Sequence, residues 1–245
     1  MKSNFIIIIP ARAGSVRLPN KPLTLIHGKS LISRVFELAK KSNASAVYIA
    51  TDSEHINDHA KSFGADVVMT SSNHKSGMDR IAAAGKILNL EPETLIINLQ
   101  GDEPFMPLEV INTLSTFVNS DNQIATACIP LKDKKILNNL NEVKVVRSLS
   151  KRAMYFSRSV IPYEFINNFD GYFKHLGIYA YSFKTLQELT QLEQSDNEII
   201  EKLEQLRFLD NGFNIFIQNY DYESVIGIDT SEDLKLANKL IRPND

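Results

Sequence analysis

A short basic segment directly after an apolar run is the part of the sequence best suited to chemistry. Residues 10–23 read PARAGSVRLPNKPL and carry three cations, Arg12, Arg17 and Lys21. Gly14 lets the backbone approach a ligand closely, and guanidinium and ammonium groups are good donors to a polyphosphate. A solvated basic loop is the alternative, because such loops are common. We therefore predict a polyphosphate site here, with an ordinary surface loop as the competing interpretation.

Two aspartates lie at the boundaries of predicted elements, where an acidic side chain needs an explanation. Asp102 follows the apolar run Leu95–Leu99, a place where an acid costs strand stability and needs a reason. Asp229 precedes a helical pattern, where aspartate is often an N-cap. However, Thr230 and Asp233 supply a T-x-x-D capping box of their own. The helix therefore has a cap without the Asp229 side chain, and local patterns assign no role to either carboxylate.

Composition and missing motifs exclude several classes of protein. The 245 residues are 43% hydrophobic and 23% charged, which indicates a globular chain, and the net charge of −2 gives no field for nucleic acid or membrane. Cys128 is the only cysteine, which excludes a disulfide scaffold and favours a reducing, cytoplasmic location. The sequence lacks G-x-G-x-x-G and G-x-x-x-x-G-K-[ST], which disfavours dinucleotide oxidoreductases and P-loop NTPases.

Strand and helix patterns alternate through the first half. Phe5–Ile9 is a continuous, largely β-branched run, typical of a strand covered on both faces. We predict further strands at 46–50, 66–69 and 95–99, and helices at 31–39 behind Ser30, from a Thr51–Glu54 capping box toward Phe63, from a Ser76–Asp79 box through Ile87, and at 108–118. This order gives a mostly parallel sheet with helices on both faces, in which ligands bind at the carboxyl ends of strands.

The second half is less regular. The patterns predict strands at 143–147, 153–156, 177–181, 215–217 and 225–228, and helices at 186–192, 199–209 and 231–240. We expect a single domain over residues 1–245. The polar stretch Lys132–Asn141 is either a sublobe boundary or an ordinary surface loop.

Seven sets of short motifs, spread in order along almost the whole chain, match the motifs of one known enzyme family. They are the basic loop, His74–Arg80 (HKSGMDR), Asn98–Pro104 (NLQGDEP), Tyr155–Arg158 (YFSR) with Ile161-Pro162, His175–Tyr179 (HLGIY), Leu203–Arg207 (LEQLR) and Gly227–Thr230 (GIDT). Together they resemble the motifs of the cytidylyltransferases that activate 3-deoxy-D-manno-octulosonate (KDO). Met78 departs from the pattern, because the family commonly has threonine there.

The resemblance implies a nucleotidyltransferase fold, a mostly parallel Rossmann-like sheet with helices on both faces plus a smaller α+β lobe. It implies transfer of CMP from CTP to the anomeric hydroxyl of KDO, which gives CMP-KDO and pyrophosphate for lipopolysaccharide assembly. Mg²⁺ is the implied cofactor, CTP and KDO are the implied small-molecule partners, and a homodimer packed through the second half is the implied assembly. Neither nucleic acid nor membrane is an expected partner.

The resemblance also implies residue roles. Arg12, Lys21, Asp102 and Asp229 would be catalytic, with Asp102 and Asp229 as the metal ligands. The implied nucleotide-binding residues are Ala11, Arg12, Arg17, Lys21, Ser76, Gly77, Arg80 and Gln100. The implied sugar-acid residues are Arg158, His175, Tyr179, Glu204 and Gln205. Without the resemblance, His175 could equally be a core histidine, and Glu204 and Gln205 could be ordinary helix-surface residues.

Other functions stay open at this point. The nearest are cytidylyltransferases for 8-amino-KDO or for a sialic acid, although the HLGIY and LEQLR segments speak against the latter. A metal-dependent glycosyltransferase would also place an acid after a strand, but would release no pyrophosphate. A non-enzymatic nucleotide-binding module is the last alternative.

Overall fold

The computed structural model describes residues 5–12, 14, 18–165, 169 and 171–240. The chain forms two compact units, one built from residues 1–112 with 225–245 and the other from residues 113–224. Among the described residues, no helix has the length and apolar character needed to cross a membrane.

The first unit contains the predicted alternation of strands and helices. Its elements up to the unit boundary are β1 (Phe5–Ala11), β2 (Leu25–Ile26), β3 (Lys29–Ser30), α1 (Leu31–Lys40), β4 (Ala46–Thr51), α2 (Glu54–Ser62), β5 (Asp66–Met69), α3 (Gly77–Ile87), β6 (Leu95–Asn98) and α4 (Leu108–Thr113). The order β6-β1-β4-β5 is parallel at every pairing, which confirms the predicted sheet. All seven residues of β1 are buried, and each buried isoleucine contributes about 1.5–3 kcal/mol.

Helix starts in the first unit follow capping chemistry. Ser30 Oγ accepts from Ser33 N (3.2 Å) at the start of α1, as predicted. The predicted Thr51–Glu54 capping box is wrong. Thr51 ends β4, and Ser53 is the N-cap of α2, with its Oγ accepting from Ile56 N. The helix predicted over 108–118 is α only to Thr113 and continues as a 3-10 turn to Phe117.

The second unit is a mixed sheet with short helices. Its elements are β7 (Ile124–Pro130), α5 (Lys134–Leu137), β8 (Lys144–Arg147), β9 (Ala153–Ser157), β10 (Phe173–Ser182), α6 (Phe183–Leu189), α7 (Asp196–Glu201), α8 (Gln205–Asp210) and β11 (Ile215–Asn219). β11 pairs parallel with β7, whereas β7 with β10, β10 with β8, and β8 with β9 are antiparallel. Sequence patterns predict no element where β7 lies.

Two predicted elements of the C-terminal third are wrong. The helix expected over 199–209 is divided into α7 and α8, because Lys202 adopts the left-handed conformation (φ 55°) and ends α7. No strand forms at 225–228. The last helix, α9 (Ser231–Leu240), belongs to the first unit and has the predicted bounds.

The segment Lys132–Asn141, the predicted sublobe boundary, lies inside the second unit. Buried Lys144 Nζ donates to Asn139 O (3.1 Å) and Glu142 O (2.6 Å). The first bond attaches the end of the segment to β8, and the second involves the residue just beyond the segment.

Candidate active site

A pocket of about 330 Å³ lies in the first unit, at the carboxyl ends of the parallel strands. The end of β1, the start of α3, the loop after β6 and the segment before α9 contribute its walls. The lining residues are Pro10, Ala11, Arg12, Lys21, Pro22, Lys75, Ser76, Gly77, Arg80, Gln100, Gly101, Asp102 and Asp229. Every predicted nucleotide-binding or catalytic residue of this unit lines the pocket except Arg17, which lies outside the described residues.

Lys21 lies between the two candidate metal ligands. Its Nζ donates to Asp102 Oδ2 and to Asp229 Oδ1, the latter at 2.6 Å, and only 11% of its side chain is exposed. Lys21 opens a 3-10 turn with Pro22 at its start. Burial lowers the pKa of Lys21, but the two carboxylates outweigh burial and raise it above its ordinary value. The ammonium is therefore charged at neutral pH and holds the two acids together.

Backbone contacts bring Asp229 to Asp102. Ile228 N donates to Asp102 O at 2.9 Å, which fixes the neighbouring Asp229 beside the loop after β6. The Asp233 carboxylate accepts from Asp229 N (3.0 Å) and from Thr230 N (2.8 Å), and Asp233 N donates to Thr230 Oγ1 (3.2 Å). The predicted T-x-x-D box is therefore present, and the N-cap interpretation of the Asp229 side chain is wrong.

Gly101 allows the loop after β6 to approach the end of β1. A Cβ at this position would lie 3.0 Å from Pro10 O, which is too close for ordinary packing. Because that oxygen belongs to the backbone, it cannot move aside as a side chain would. Glycine here places Asp102 next to the basic segment that follows β1.

The start of α3 forms one wall of the pocket. Ser76 Oγ accepts from Asp79 N (3.1 Å) and Asp79 Oδ2 accepts from Ser76 N (3.2 Å), so the predicted capping box is confirmed. Gln100 Nε2 donates to Asn98 Oδ1 at 3.0 Å. Met78 is 97% buried in the core and does not line the pocket. The departure from threonine at that position therefore removes no side-chain group from the pocket wall.

Arg80 is held by two residues that sequence reasoning did not single out. Its Nη2 donates to Asp52 Oδ2 (2.8 Å) and its Nη1 to Thr70 Oγ1 (2.7 Å), and the side chain is buried. Asp52 follows β4 and Thr70 follows β5, so both lie at the ligand-binding edge that the strand order predicts. The position of Asp52 and Thr70 directly after predicted strands was the sequence signal that could have identified them as pocket-edge residues. Arg80 therefore combines a place in the pocket wall with an ion pair that joins three loops.

Arg12 and Lys75 are the other cations of the pocket. Arg12 directly follows β1 and is exposed, and Lys75 precedes the capping box of α3. Lys75 lies within the HKSGMDR segment but was not assigned a role from sequence. With Lys21, these residues give the pocket the positive charge that a triphosphate requires.

His175 and Tyr179, two of the predicted sugar-acid residues, lie together on β10 in the second unit. Both are buried, with ring centroids 5.5 Å apart, and Phe156 packs edge-on to His175 at 4.9 Å. Burial, and then the charge of Lys174, lower the pKa of His175 to about 3. Burial, with the negative charge of Glu204, raises the pKa of Tyr179 well above its ordinary value. Both groups are therefore neutral hydrogen-bonding partners at pH 7.

Arg158 is bound to the chain around α7. Its Nε donates to Glu201 O (2.8 Å), Nη1 to Leu140 O (2.9 Å) and Nη2 to Lys202 O (3.3 Å). The Glu201 carboxylate in turn accepts hydrogen bonds from Arg158 N (3.0 Å) and from Ser157 Oγ (2.5 Å). A guanidinium has five N–H groups, so Nη1 and Nη2 each keep one hydrogen beyond these contacts.

Glu204 and Gln205 occupy the start of α8, directly after the left-handed residue Lys202. Gln205 is buried, so the ordinary-surface interpretation of this residue is wrong. The buried ion pair of Arg207 and Glu198 joins α8 to α7, with Nε–Oε2 at 2.7 Å and Nη2–Oε1 at 2.6 Å. The two sets of predicted residues thus belong to different units, the nucleotide set to the first and the sugar-acid set to the second.

The donor set around Lys21 fits Mg²⁺. Asp102 and Asp229 converge on one point, and among the described residues no group of three or more His, Cys, Asp or Glu side chains could hold a metal. Mg²⁺ prefers oxygen ligands and is commonly held by one or two carboxylates, with water and substrate phosphates completing its shell. Two carboxylates beside a cation-lined pocket match that requirement.

Comparison with known proteins agrees with this geometry. The sequence profile described as "Cytidylyltransferase" matches residues 6–223. Similar proteins named 3-deoxy-manno-octulosonate cytidylyltransferase occur in Francisella tularensis, at 43% identity over 97% of this chain and 98% of the relative, and in Haemophilus influenzae, at 41% identity over 98% of this chain and 100% of the relative. A solved structure of CMP:2-keto-3-deoxy-manno-octonic acid synthetase complexed with CTP is similar with a TM-score of 0.88 and 37% identity, over 97% of this chain and 98% of the other. The chain therefore belongs to the cytidylyltransferase family.

Proposed function

We propose that the chain transfers CMP from CTP to the anomeric hydroxyl of KDO and releases pyrophosphate, in a reaction that depends on Mg²⁺. The observation that carries the proposal is the convergence of Asp102, Asp229 and Lys21 in a cation-lined pocket at the carboxyl edge of a parallel sheet. The near full-length similarity to relatives named for this activity supports the choice of substrates.

In this mechanism the pocket orients the triphosphate and stabilises its charge. Arg12 and Lys21 bind phosphate oxygens, and their positive charge stabilises the pyrophosphate as the bond to the α-phosphorus breaks. Because the groups are fixed before the substrate arrives, the enzyme avoids part of the cost of orienting them during the reaction. Ser76, Gly77 and Gln100 bind the nucleoside end.

Asp102 and Asp229 would hold the Mg²⁺ ion. When bound, the ion would neutralise phosphate charge and lower the pKa of the attacking hydroxyl. Lys21 contacts the same two carboxylate groups, so a triphosphate that reaches them also reaches the ammonium. Asp102 and Asp229 thereby determine the position of the triphosphate in the pocket.

The second unit binds the acceptor. The hydrogens that Arg158 keeps on Nη1 and Nη2 suit the KDO carboxylate, which accepts two parallel bonds. Glu204, Gln205, His175 and Tyr179 offer donors and acceptors to the hydroxyl groups of the sugar acid.

We also propose a cytoplasmic homodimer that supplies CMP-KDO to lipopolysaccharide synthesis. Large apolar side chains are exposed on the second unit, which supports an interface there. They are Leu149, Met154, Tyr163, Phe165 and Ile200. Sedimentation at micromolar concentration tests the dimer, and substitution of Phe165 and Ile200 by serine should shift it toward monomer.

The experiment that tests the activity measures pyrophosphate release from CTP and Mg²⁺ with separate candidate acceptors. KDO should give the highest kcat/KM, and omission of Mg²⁺ should abolish release. No release with KDO would overturn the proposal. Preferred use of 8-amino-KDO or a sialic acid would redirect it to a related acceptor, and release from UTP at an equal rate would contradict the choice of nucleotide.

A further inference from the structure

Thr126 and His175 form a buried pair among the predicted acceptor residues of the second unit. Thr126 lies in β7 and is fully buried, and its Oγ1 is 3.0 Å from His175 Nε2. The rings of Phe156 and Tyr179 pack against the imidazole at 4.9 Å and 5.5 Å between centroids. The imidazole therefore has a fixed orientation, and one of its two nitrogens already has a partner.

The Thr126 hydroxyl also faces two backbone carbonyls. Its Oγ1 is 2.7 Å from Ile178 O and 3.3 Å from Leu176 O. These carbonyls lie where the pairing of β10 with β7 shifts register, between Leu176 and Tyr179. A hydroxyl carries one proton, and a carbonyl oxygen can only accept. The proton therefore points to Ile178 O, and a hydroxyl lone pair is left facing the imidazole.

The direction of the Thr126 hydroxyl proton determines the tautomer of His175. An oxygen lone pair at 3.0 Å requires a hydrogen on Nε2. The low pKa of His175, about 3, keeps the ring neutral at pH 7, so Nδ1 carries no hydrogen. Within the described part of the chain, Nδ1 makes no hydrogen bond, which leaves it as an acceptor for a group from outside.

We propose that Thr126 is a positioning residue that holds His175 as the Nε2–H tautomer, so that Nδ1 accepts a hydrogen bond from a hydroxyl of the sugar acid. This inference rests on the proposed function. It assigns the imidazole to a hydroxyl group and not to the carboxylate, because an unprotonated nitrogen repels a carboxylate. A site that accepts from a substrate hydroxyl discriminates strongly against an analogue that lacks it.

Nitrogen-15 NMR of histidine-labelled protein tests the tautomer without any substrate. Thr126→Val removes the hydroxyl at nearly constant volume, and Thr126→Ser retains it. The wild type and Thr126→Ser should show a protonated Nε2 and a bare Nδ1 for His175, and Thr126→Val should move both resonances toward a mixture of tautomers. An Nδ1–H tautomer in the wild type, or identical spectra for Thr126→Val, would overturn the assignment.

Kinetics test the consequence for the substrate. Thr126→Val should raise KM for KDO about tenfold and leave KM for CTP unchanged. Thr126→Ser, which keeps the hydroxyl, should retain the wild-type KM for KDO. The control is Thr113→Val, which removes a hydroxyl bonded to Tyr220 Oη at 2.6 Å and should keep both KM values. An equal rise in both KM values, or the same change in the control, would overturn the positioning role. If the wild type does not use KDO, the proposed function fails, whereas the spectra still decide the tautomer.

Discussion

Lys21 Nζ lies 2.6 Å from Asp229 Oδ1, although the two residues are 208 positions apart in the chain. The same ammonium contacts Asp102, so one cation joins the basic segment after β1, the loop after β6 and the segment before α9. Two carboxylates this close would repel each other without a positive charge between them. The arrangement therefore explains why a basic loop and two distant acids occur in one protein.

Removal of one carboxylate should damage catalysis more than folding. Asp102→Asn keeps the size of the side chain but removes an anionic ligand, and kcat should fall at least about 100-fold. Steady-state pyrophosphate release measures the effect, and circular dichroism checks the fold. Asp66→Asn removes the same charge from an exposed position and should retain wild-type kcat. Near-normal Mg²⁺-dependent turnover of Asp102→Asn would contradict the metal-ligand role.

Substitutions of Arg12 and Arg80 by alanine should affect different properties, catalysis for Arg12 and stability for Arg80. Arg12 is exposed in the pocket, so Arg12→Ala should leave stability within about 0.5 kcal/mol and lower kcat by about 10–100-fold. Arg80→Ala leaves Asp52 without its cation and should cost about 1–3 kcal/mol of unfolding free energy. Urea denaturation and steady-state kinetics on both variants test this contrast. Equal losses of kcat without a difference in stability would contradict the two roles.

The Glu198–Arg207 ion pair should make stability depend on acid pH. Burial alone would raise the pKa of Glu198, but bonds from Arg207 and Gln194 outweigh it and hold the pKa below 4.5. Its stabilisation is therefore present above pH 4.5 and is lost as pH falls through the lower value in the folded state. Glu198→Gln should cost about 3 kcal/mol at pH 7.

Denaturation of wild type and Glu198→Gln across pH 3–7 measures that dependence. The stability difference should shrink as the solution becomes more acidic. The exposed Glu188→Gln is the matched control and should show little difference at any pH. A difference of constant size from pH 7 to pH 3 would show that the effect of Glu198 is not electrostatic.

Buried His175 should also make the stability of the fold depend on pH, independently of Glu198. Its pKa is about 3 in the folded protein against 6.5 for an unperturbed histidine, so the unfolded state binds a proton first as pH falls. Below pH 6.5 the wild type should lose up to about 1.4 kcal/mol of stability per pH unit from this group. His175→Asn should lack that slope between pH 6.5 and 5, whatever its stability at pH 7. Parallel stability curves for the two proteins would refute a neutral, buried imidazole.

Sequence patterns predicted the first unit well because its signals are local. Continuous apolar runs identify buried strands, and the rule that ligands bind at the carboxyl ends of strands predicts that the loops after β1 and β6 lie together. The Ser76–Asp79 box was readable because both partners lie within one helical turn. Asp102 and Asp229 were predicted to act together only through the family resemblance, since no local pattern joins them.

The errors arose where tertiary contacts decide the structure. Lys202 adopts a left-handed conformation that no apolar periodicity encodes, so one predicted helix became two. Thr51 satisfies the T-x-x-E pattern and Ser53 does not, but strand pairing retains Thr51 in β4, so Ser53 is the N-cap of α2. The Arg80–Asp52 ion pair joins positions 28 residues apart and depends on the order of β4 and β5 in the sheet.

A crystal structure with CTP and Mg²⁺ bound would test the central claim most directly. The account predicts the triphosphate in the pocket beside Arg12 and Lys21, with a cation bridging its oxygens to the carboxylates of Asp102 and Asp229. A nucleotide bound elsewhere, or a cation that contacts neither aspartate, would contradict it.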